Sequence, residues 1–271
     1  FQSHIEQAAF EKMVEEARSL IRQGDMFQCV LSQRFSAEYS GKPLDYYRNL
    51  RVTNPSNYLY FYDFGDYQII GASPESLVSV KQGQVTTNPI AGTRPRGHDE
   101  REDKALAKEL LADEKEVAEH RMLVDLGRND IGKIAQNNSV EVTKYMEVEY
   151  FRYVMHLTSV VRGQLLPQLT AMDALKSTLP AGTVSGAPKI RAMKRIYELE
   201  KEKRGVYAGA IGYLSATGDM DFAIAIRTMI LKNGRAYVQA GAGIVYDSIP
   251  TNEYQETINK AKSMTKIGEM Q

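Results

Sequence analysis

Apolar residues recur at helical spacing through residues 10–21, where Phe10, Met13, Val14, Ala17, Leu20 and Ile21 share one face. Gly24 and Asp25 end that run. The period then shortens. Phe27, Cys29, Leu31 and Phe35 alternate with Gln28, Val30, Ser32 and Arg34, which predicts a strand whose second, largely polar face carries Gln28. Residues 58–62, 67–72, 76–80 and 84–88 read as short strands punctuated by Asp63, Gly65, Pro74 and Gly83, and such close spacing favours antiparallel meanders. Residues 89–99 are rich in Pro, Gly and Arg and read as a loop. Helical periodicity runs from Glu100 to about Ala135, with Gly127 as the candidate break. A strand is expected near 140–150, helices at 169–178 and 188–201, apolar strands at 206–214, 221–232 and 235–242, and a closing helix at 251–267. Strands fall in blocks rather than alternating with helices, so the pattern predicts an α+β fold. No repeat, low-complexity tract or linker interrupts it, and 1–271 reads as one compact unit.

Composition narrows the function. The chain has 271 residues, 34 Lys+Arg against 34 Asp+Glu, 43% hydrophobic and 25% charged residues. This is globular composition rather than disorder. A net charge of zero argues against a basic nucleic-acid binder. Cys29 is the sole cysteine, so neither an intrachain disulfide nor a cysteine-based zinc site is available, and a reducing, cytoplasmic setting is expected. No apolar run reaches the roughly 20 residues of a membrane span. Residues 1–16 are polar and amphipathic, unlike a signal peptide. Without an initiator Met, the sequence is expected to be a fragment or a processed chain.

Several residues could carry chemistry. Glu116 and Glu119 lie three apart on an expected helix, beside His120, and Glu253 and Glu256 repeat that spacing near the start of the last helix. Four carboxylates from two helices suit a hard dication such as Mg²⁺. Spacing alone is also what a solvated helix face gives, and Glu253 also suits a helix N-terminus. In the expected strand 221–232, Phe222, Ile224, Ile226 and Ile230 form a bulky face, whereas Ala223 and Ala225 leave room around Arg227. Arg suits bidentate capture of a carboxylate or a structural partner Asp or Glu. Gly241-Ala-Gly243, expected just after a strand, could present backbone N–H groups to an anion or form a plain turn. The loop Gly182-Thr-Val-Ser-Gly186 opens a helix but lacks the Gly-Lys-Ser/Thr ending of a nucleotide-binding P-loop. His156 sits in an apolar setting, and Glu75 follows Ser73-Pro74 at a strand boundary, where partial burial would suit a general acid or a turn residue. No Gly-x-Ser-x-Gly elbow is present, and Cys29 has no evident catalytic partner.

Five segments occur in order: Pro89-Ile-Ala-Gly-Thr-Arg-Pro-Arg-Gly97, Glu119-His-Arg-Met-Leu-Val-Asp-Leu-Gly-Arg-Asn-Asp130, Leu179-Pro-Ala-Gly-Thr-Val-Ser-Gly-Ala-Pro-Lys189, Gly241-Ala-Gly-Ile-Val245 and Glu253-Tyr-Gln-Glu-Thr257. Together they resemble the chorismate-utilising enzymes, and among them the anthranilate-forming branch, over nearly the whole chain. The resemblance implies an α+β fold, with antiparallel sheets layered against helices around a central cleft. It implies Mg²⁺, held mainly by Glu119 and Glu256, with Glu116 and Glu253 acting directly or through water. Gly241, Ala242 and Gly243 would hold a substrate carboxylate through the backbone. Arg227 and Tyr207 would hold the enolpyruvyl carboxylate, and Thr183 would line the pocket. Glu75 would assist departure of the ring hydroxyl, and His156 would support loss of pyruvate.

Two positions discriminate within the family. Members that add water carry a Lys base where Gln28 stands, and aminodeoxychorismate synthases carry a nucleophilic Lys where Ala91 stands. With neither present, the resemblance implies ammonia as nucleophile and anthranilate and pyruvate as products, at the entry to tryptophan biosynthesis. Ammonia would come from a glutamine amidotransferase subunit. The alternatives are an aminodeoxychorismate synthase of folate biosynthesis, an enzyme stopping at the amino-substituted intermediate, or a chorismate-binding fragment without turnover. The family's N-terminal portion, which supplies much of its tryptophan feedback pocket, is expected to be missing here. The other half resembles Asn54-Pro-Ser-Asn-Tyr-Leu-Tyr60, with Asn57 and Leu59 where Pro and Met are more usual. Feedback inhibition is therefore not expected of this chain by itself.

Overall fold

A computed structural model describes residues 1–269. In chain order the elements are β1 (Gln2–Ser3), α1 (Gln7–Arg22), β2 (Gln28–Glu38), α2 (Pro43–Thr53), β3 (Tyr58–Asp63), β4 (Tyr67–Ser73), β5 (Ser76–Lys81), β6 (Gln84–Thr87), β7 (Ile90–Pro95), α3 (Glu100–Ala112), α4 (Glu114–Gly132), β8 (Glu141–Tyr150), β9 (Val154–Gln164) and α5 (Ala171–Thr178). A short 3₁₀ turn (Gly182–Val184) leads into β10 (Gly186–Ala187) and α6 (Lys189–Leu199). The chain then forms β11 (Ala210–Leu214), β12 (Met220–Ile224), β13 (Thr228–Lys232), β14 (Arg235–Ile244) and α7 (Pro250–Thr265). Mixed helices and antiparallel sheets are the α+β class that the sequence predicts.

The chain divides into two compact units, each assembled from separated segments. One comprises Phe1–Pro74, Pro180–Ile211 and the chain from Ala223 onward; the other comprises Glu75–Leu179 and Gly212–Phe222. Two of the crossings between units fall after Pro74 and after Leu179, and the other two lie inside β11 and β12, so no polar linker marks them in a linear reading.

The first unit is built on a sheet of order β1-β2-β14-β13-β4-β3, with β10 also pairing with β2. One sheet face buries Phe35, Ile70, Met229 and Val238 against Leu50 of α2 and Met264 of α7. Further along, Leu31, Ala242 and Ile244 pack on Phe10, Val14 and Ala17 of α1. Phe10 is fully buried, and such a side chain contributes roughly 1.5–3 kcal/mol from burial alone. The second unit has a sheet of order β11-β12-β5-β6-β9-β7, with β8 pairing with β9. There Met155 and Leu157 of β9 pack against Ala107 and Leu110 of α3.

Several local expectations change. The long helix from Glu100 breaks at Asp113, not at Gly127, because Asp113 caps α4 by accepting from the N–H groups of Lys115 and Glu116. Gly127 stays helical, its bare Cα facing Thr87, where a Cβ would lie 3.1 Å from Oγ1. The expected loop 89–99 contains β7, whose ladder partner β9 is supplied by distant residues. Gly241 and Gly243 lie inside β14 rather than after it. The expected strand 221–232 is two strands in different sheets, separated at Arg227, whose φ is +49°. α2 and β9 carry no counterpart in the sequence reading.

Candidate active site

In the first unit, the break at Arg227 opens an edge of β14. Met229 is the last β13 residue paired with β14, opposite Val238. Had β13 continued backwards, it would have laddered along 239–244. Positive φ at Arg227 turns the chain away instead, at a cost of roughly 1–2 kcal/mol for an L-residue.

The register shows which way the glycine amides point. Gly241 pairs with Ser32, and Gly243 pairs with Val30, across β14 and β2. The Ser32 N–H donates to Glu200 Oε1 at 2.7 Å, and the Val30 N–H donates to the Ser185 carbonyl at 2.9 Å. Both are therefore non-hydrogen-bonded pairs of the antiparallel ladder, and the polar groups of Gly241 and Gly243 point away from β2, toward the edge that β13 vacates. Lys260 Nζ donates to the Gly241 carbonyl there at 3.0 Å.

Side chains close over the bare glycines. A Cβ at Gly241 would lie 2.6 Å from the Tyr207 hydroxyl, and one at Gly243 would lie 2.7 Å from Gln28 Nε2. Gln28 and Tyr207 are both buried. Thr183, in the 3₁₀ turn, has a hydroxyl shielded from solvent with no hydrogen-bond partner among the described residues. Ala242 points to the other face, into the core with Phe10 and Leu31. It contributes backbone only.

The Arg227 side chain is exposed and lines a cavity of about 530 Å³ with Asn252, Gln255, Glu256, Asn259, Lys260 and Ser263. Its guanidinium forms no ion pair or hydrogen bond with the described residues, so the structural-partner reading of this Arg falls away. On α7, Glu256 is half exposed and pairs with Lys260 at 2.6 Å, whereas Glu253 lies in the first turn and is half-buried. The sequence reading passes over Lys260, although its spacing of four from Glu256 is a legible helical ion pair.

In the second unit, Glu116 and Glu119 are both half-buried on α4. Burial, with the adjacent Glu119 and Asp113 carboxylates, pushes the Glu116 carboxyl up, while Arg94 at 3.7 Å opposes the shift. His120 is fully buried, and its Nε2 meets Ser159 Oγ at 2.6 Å, which ties α4 to β9. Burial pushes its imidazole down to about 4, so it stands neutral as a structural residue.

His156 is half-buried on β9 rather than sealed in the core. Its Nδ1 lies 3.0 Å from the Gly92 carbonyl and 3.0 Å from Thr93 Oγ1. A carbonyl only accepts, so Nδ1 carries the proton and Nε2 is left as the basic nitrogen. The Phe151 ring packs against it in a T-shaped contact, with centroids 5.4 Å apart. Glu75 is half-buried immediately before β5, and Ala91 pairs with Leu157 beside the bulge that precedes Thr93.

The expected site residues therefore fall in two groups. Gln28, Thr183, Tyr207, Arg227, Gly241, Ala242, Gly243, Glu253 and Glu256 belong to the first unit; Glu75, Glu116, Glu119 and His156 belong to the second. Among the described residues, no three His, Cys, Asp or Glu side chains gather as a metal-binding group. Each Glu pair nevertheless offers the hard oxygen donors that Mg²⁺ takes, and the raised Glu116 carboxyl marks a place where added positive charge relieves repulsion. Glu256 already has a cation in Lys260, which a metal would have to displace.

The chain matches the family described as chorismate binding enzyme over residues 1–266. It is 62% identical over 269 residues to anthranilate synthase component 1 of Lactococcus lactis, covering 99% of this chain and 59% of that protein. It is 53% identical over 270 residues to the protein of the same name from Aquifex aeolicus, covering 100% of this chain and 55% of that one. It superposes on the crystal structure of anthranilate synthase component I from Streptococcus pneumoniae with a TM-score of 0.92 and 82% sequence identity, over 97% of this chain and 59% of that one. The menaquinone-specific isochorismate synthase of Escherichia coli is similar, with a TM-score of 0.89 and 26% identity, over 98% of this chain and 62% of that one. The chain thus spans little more than half the length of the curated relatives it matches.

Proposed function

This chain belongs to the chorismate-binding enzyme family, and from that premise we propose that it carries the catalytic machinery converting chorismate and ammonia to anthranilate and pyruvate. The observation that carries the reading is the seat in the first unit. Two glycine amides face a vacated strand edge, and beside it the break at Arg227 presents a guanidinium with no partner among the described residues. Chorismate is a dicarboxylate, and backbone N–H groups and a free guanidinium are the donors that carboxylates take.

The residues then divide the work. Gly241 and Gly243 hold one carboxylate through N–H groups, and Arg227, with Tyr207, holds the enolpyruvyl carboxylate. Glu75 gives a proton to the departing ring hydroxyl, which leaves as water. Ammonia adds at ring C2. His156 Nε2 then takes the C2 proton as the ring C–O bond breaks; the ring becomes aromatic, and the released enolpyruvate takes up a proton at its methylene carbon to give pyruvate. Nδ1–H donation to the Gly92 carbonyl fixes the ring and the tautomer for that task. Glu119, Glu116, Glu256 and Glu253 are the residues that would hold Mg²⁺, and the ion supplies charge neutralisation for a substrate carboxylate.

Gln28 and Ala91 select the nucleophile. An amide cannot serve as the base that activates water, and a methyl group cannot attack the ring. The neutral Gln28 side chain lies over Gly243 instead and shapes the seat. The match to proteins named component 1 supports a second, amidotransferase component as the source of ammonia from glutamine. Cys29 does not supply that activity. It is buried in the core, and burial pushes its thiol up to about 12.

The test is a product assay on the intact protein with chorismate, Mg²⁺ and ammonium at mildly alkaline pH, with an EDTA control. Fluorescent anthranilate that disappears with EDTA is the expected result. Chromatography separates it from an amino-substituted ring that keeps its enolpyruvyl group, and accumulation of that species would overturn the reading. Glu119→Gln and Glu256→Gln are each expected to abolish Mg²⁺-dependent turnover while the fold is retained. Unchanged activity in either would remove that residue from the metal assignment.

A further inference from the structure

We propose that the buried ion pair Arg204–Glu200 is the positioning device of the carboxylate seat, holding the Thr183 turn and Tyr207 in register with β2 and β14. The inference rests on the chorismate reading above. Arg204 commits four of its N–H donors. Nε donates to Glu200 Oε2 at 2.8 Å, and Nη2 donates to Glu200 Oε1 at 2.7 Å. Nη2 also donates to the Val30 carbonyl at 2.6 Å, and Nη1 donates to the Val184 carbonyl at 2.6 Å. The guanidinium carbon stands 5.4 Å from the centre of the Tyr207 ring. Glu200 Oε1 in turn accepts from the N–H and the hydroxyl of Ser32 at 2.7 and 2.9 Å. The Ser32 hydroxyl accepts from Gln239 Nε2 at 2.9 Å.

The need for this pair follows from sheet topology. The outer edge of β2 is covered by β10 at Gln28 and Cys29, and by β1 at Phe35 and Ser36. Between them the Val30 carbonyl and the Ser32 N–H have no strand beside them, and the two side chains complete the ladder. A fork of fixed geometry is required, because it must reach two carbonyls and one carboxylate at once, which the single ammonium of Lys cannot do. The two side chains are only 16% and 6% exposed. A buried pair of this kind is weak as a stabiliser but strong as a register device. Everything it touches leads to the seat. Val184 adjoins Thr183, Tyr207 closes over Gly241, and Ser32 is the strand partner of Gly241.

The test compares Arg204→Lys and Glu200→Gln with Tyr46→Phe in the intact protein. Tyr46 donates to the Met264 carbonyl at 2.7 Å in the helical core of the same unit, so its loss reports stability alone. Arg204→Lys is expected to raise KM for chorismate about tenfold or more, with kcat changed far less. It is also expected to speed amide exchange at 182–186 and at Ser32 well below the melting transition. Tyr46→Phe should lower the melting temperature and leave KM and that exchange unchanged. If Arg204→Lys fails to fold, Glu200→Gln, which keeps shape and removes charge, carries the same expectation. A wild-type KM in the variant, or unchanged exchange at 182–186, would overturn the proposal. A wild type that does not turn over chorismate would overturn the functional reading, whereas the exchange data would still report on the clamp.

Discussion

The Tyr207 hydroxyl lies over the bare backbone of Gly241, so close that a Cβ there would stand 2.6 Å from the phenol oxygen and 2.9 Å from the Leu31 carbonyl. The phenol can swing, but the strand carbonyl cannot. Gly241→Ala is therefore expected to lower kcat/KM by about 100-fold or more through displacement of the seat. A stability loss of roughly 1–3 kcal/mol should accompany it. Gly241→Ala with Tyr207→Phe should recover little, because the Leu31 contact persists. Steady-state kinetics and chemical denaturation check this, and full recovery in the double variant would show that only the hydroxyl excludes the methyl group.

Arg227 couples function to strain. Its φ of +49° is a region in which Gly is at ease and Arg is not. Arg227→Lys is expected to raise KM for chorismate by about 10- to 100-fold, because charge survives but the bidentate fork does not. Arg227→Gly should eliminate turnover while leaving the melting temperature unchanged or higher. A clear fall in melting temperature for the Gly variant would mean that the guanidinium supports the fold.

Acid stability of the second unit should depend on Asp103. Its carboxylate accepts from Arg96 at 3.0 Å and from the Gly97 N–H at 2.7 Å, and these partners, Arg96 first, hold its carboxyl below the ordinary 3.8. A carboxyl with a depressed native pKa contributes stability that is present above its unfolded value and lost as pH falls through the native one. Asp103→Asn should therefore melt lower than wild type at neutral pH, with the gap closing below pH 3.8. Parallel melting profiles from pH 7 to 2 would refute this.

Ala91 sits beside the bulge that leads to Thr93 and, through it, to His156. Ala91→Lys puts a primary amine where the family's alternative chemistry has its nucleophile. Chromatography of the products is expected to show reduced anthranilate or a new ring species. An unaffected yield would mean that position 91 does not face the ring.

Much of the fold is legible because it is local. The amphipathic stripe from Phe10 to Ile21 became α1, and the glutamate pairs at 116 and 119 and at 253 and 256 lie on helices as their spacing requires. The motifs at 89–97, 119–130 and 179–189 are contiguous stretches of chain, so they mark the family without reference to geometry. Errors cluster where distant chain decides the outcome. β7 exists because β9 pairs with it, and the paired residues lie far apart in sequence, as Pro95 with Val154 and Ile90 with Thr158 show.

The strand 221–232 shows the same limit. Its apolar pattern is continuous, but Ala223 and Met229 belong to different sheets according to partners that the pattern does not contain. Likewise, Arg204 reads as one basic residue in a charged stretch, until β2 is seen to lack a neighbour at Val30 and Ser32.

The sequence by itself determined most of the helices, the α+β class, the family and the residue types able to hold a dicarboxylate. Helical and strand periods are properties of neighbouring residues, and motif residues keep their identity wherever the chain places them. Only the tertiary structure decided that Gly241 and Gly243 point their amides to a vacated edge, that Arg227 is left without a partner among the described residues and that Arg204 joins the elements around them. Those outcomes depend on which strand ends beside which, and strand pairing is a long-range choice that no local pattern encodes.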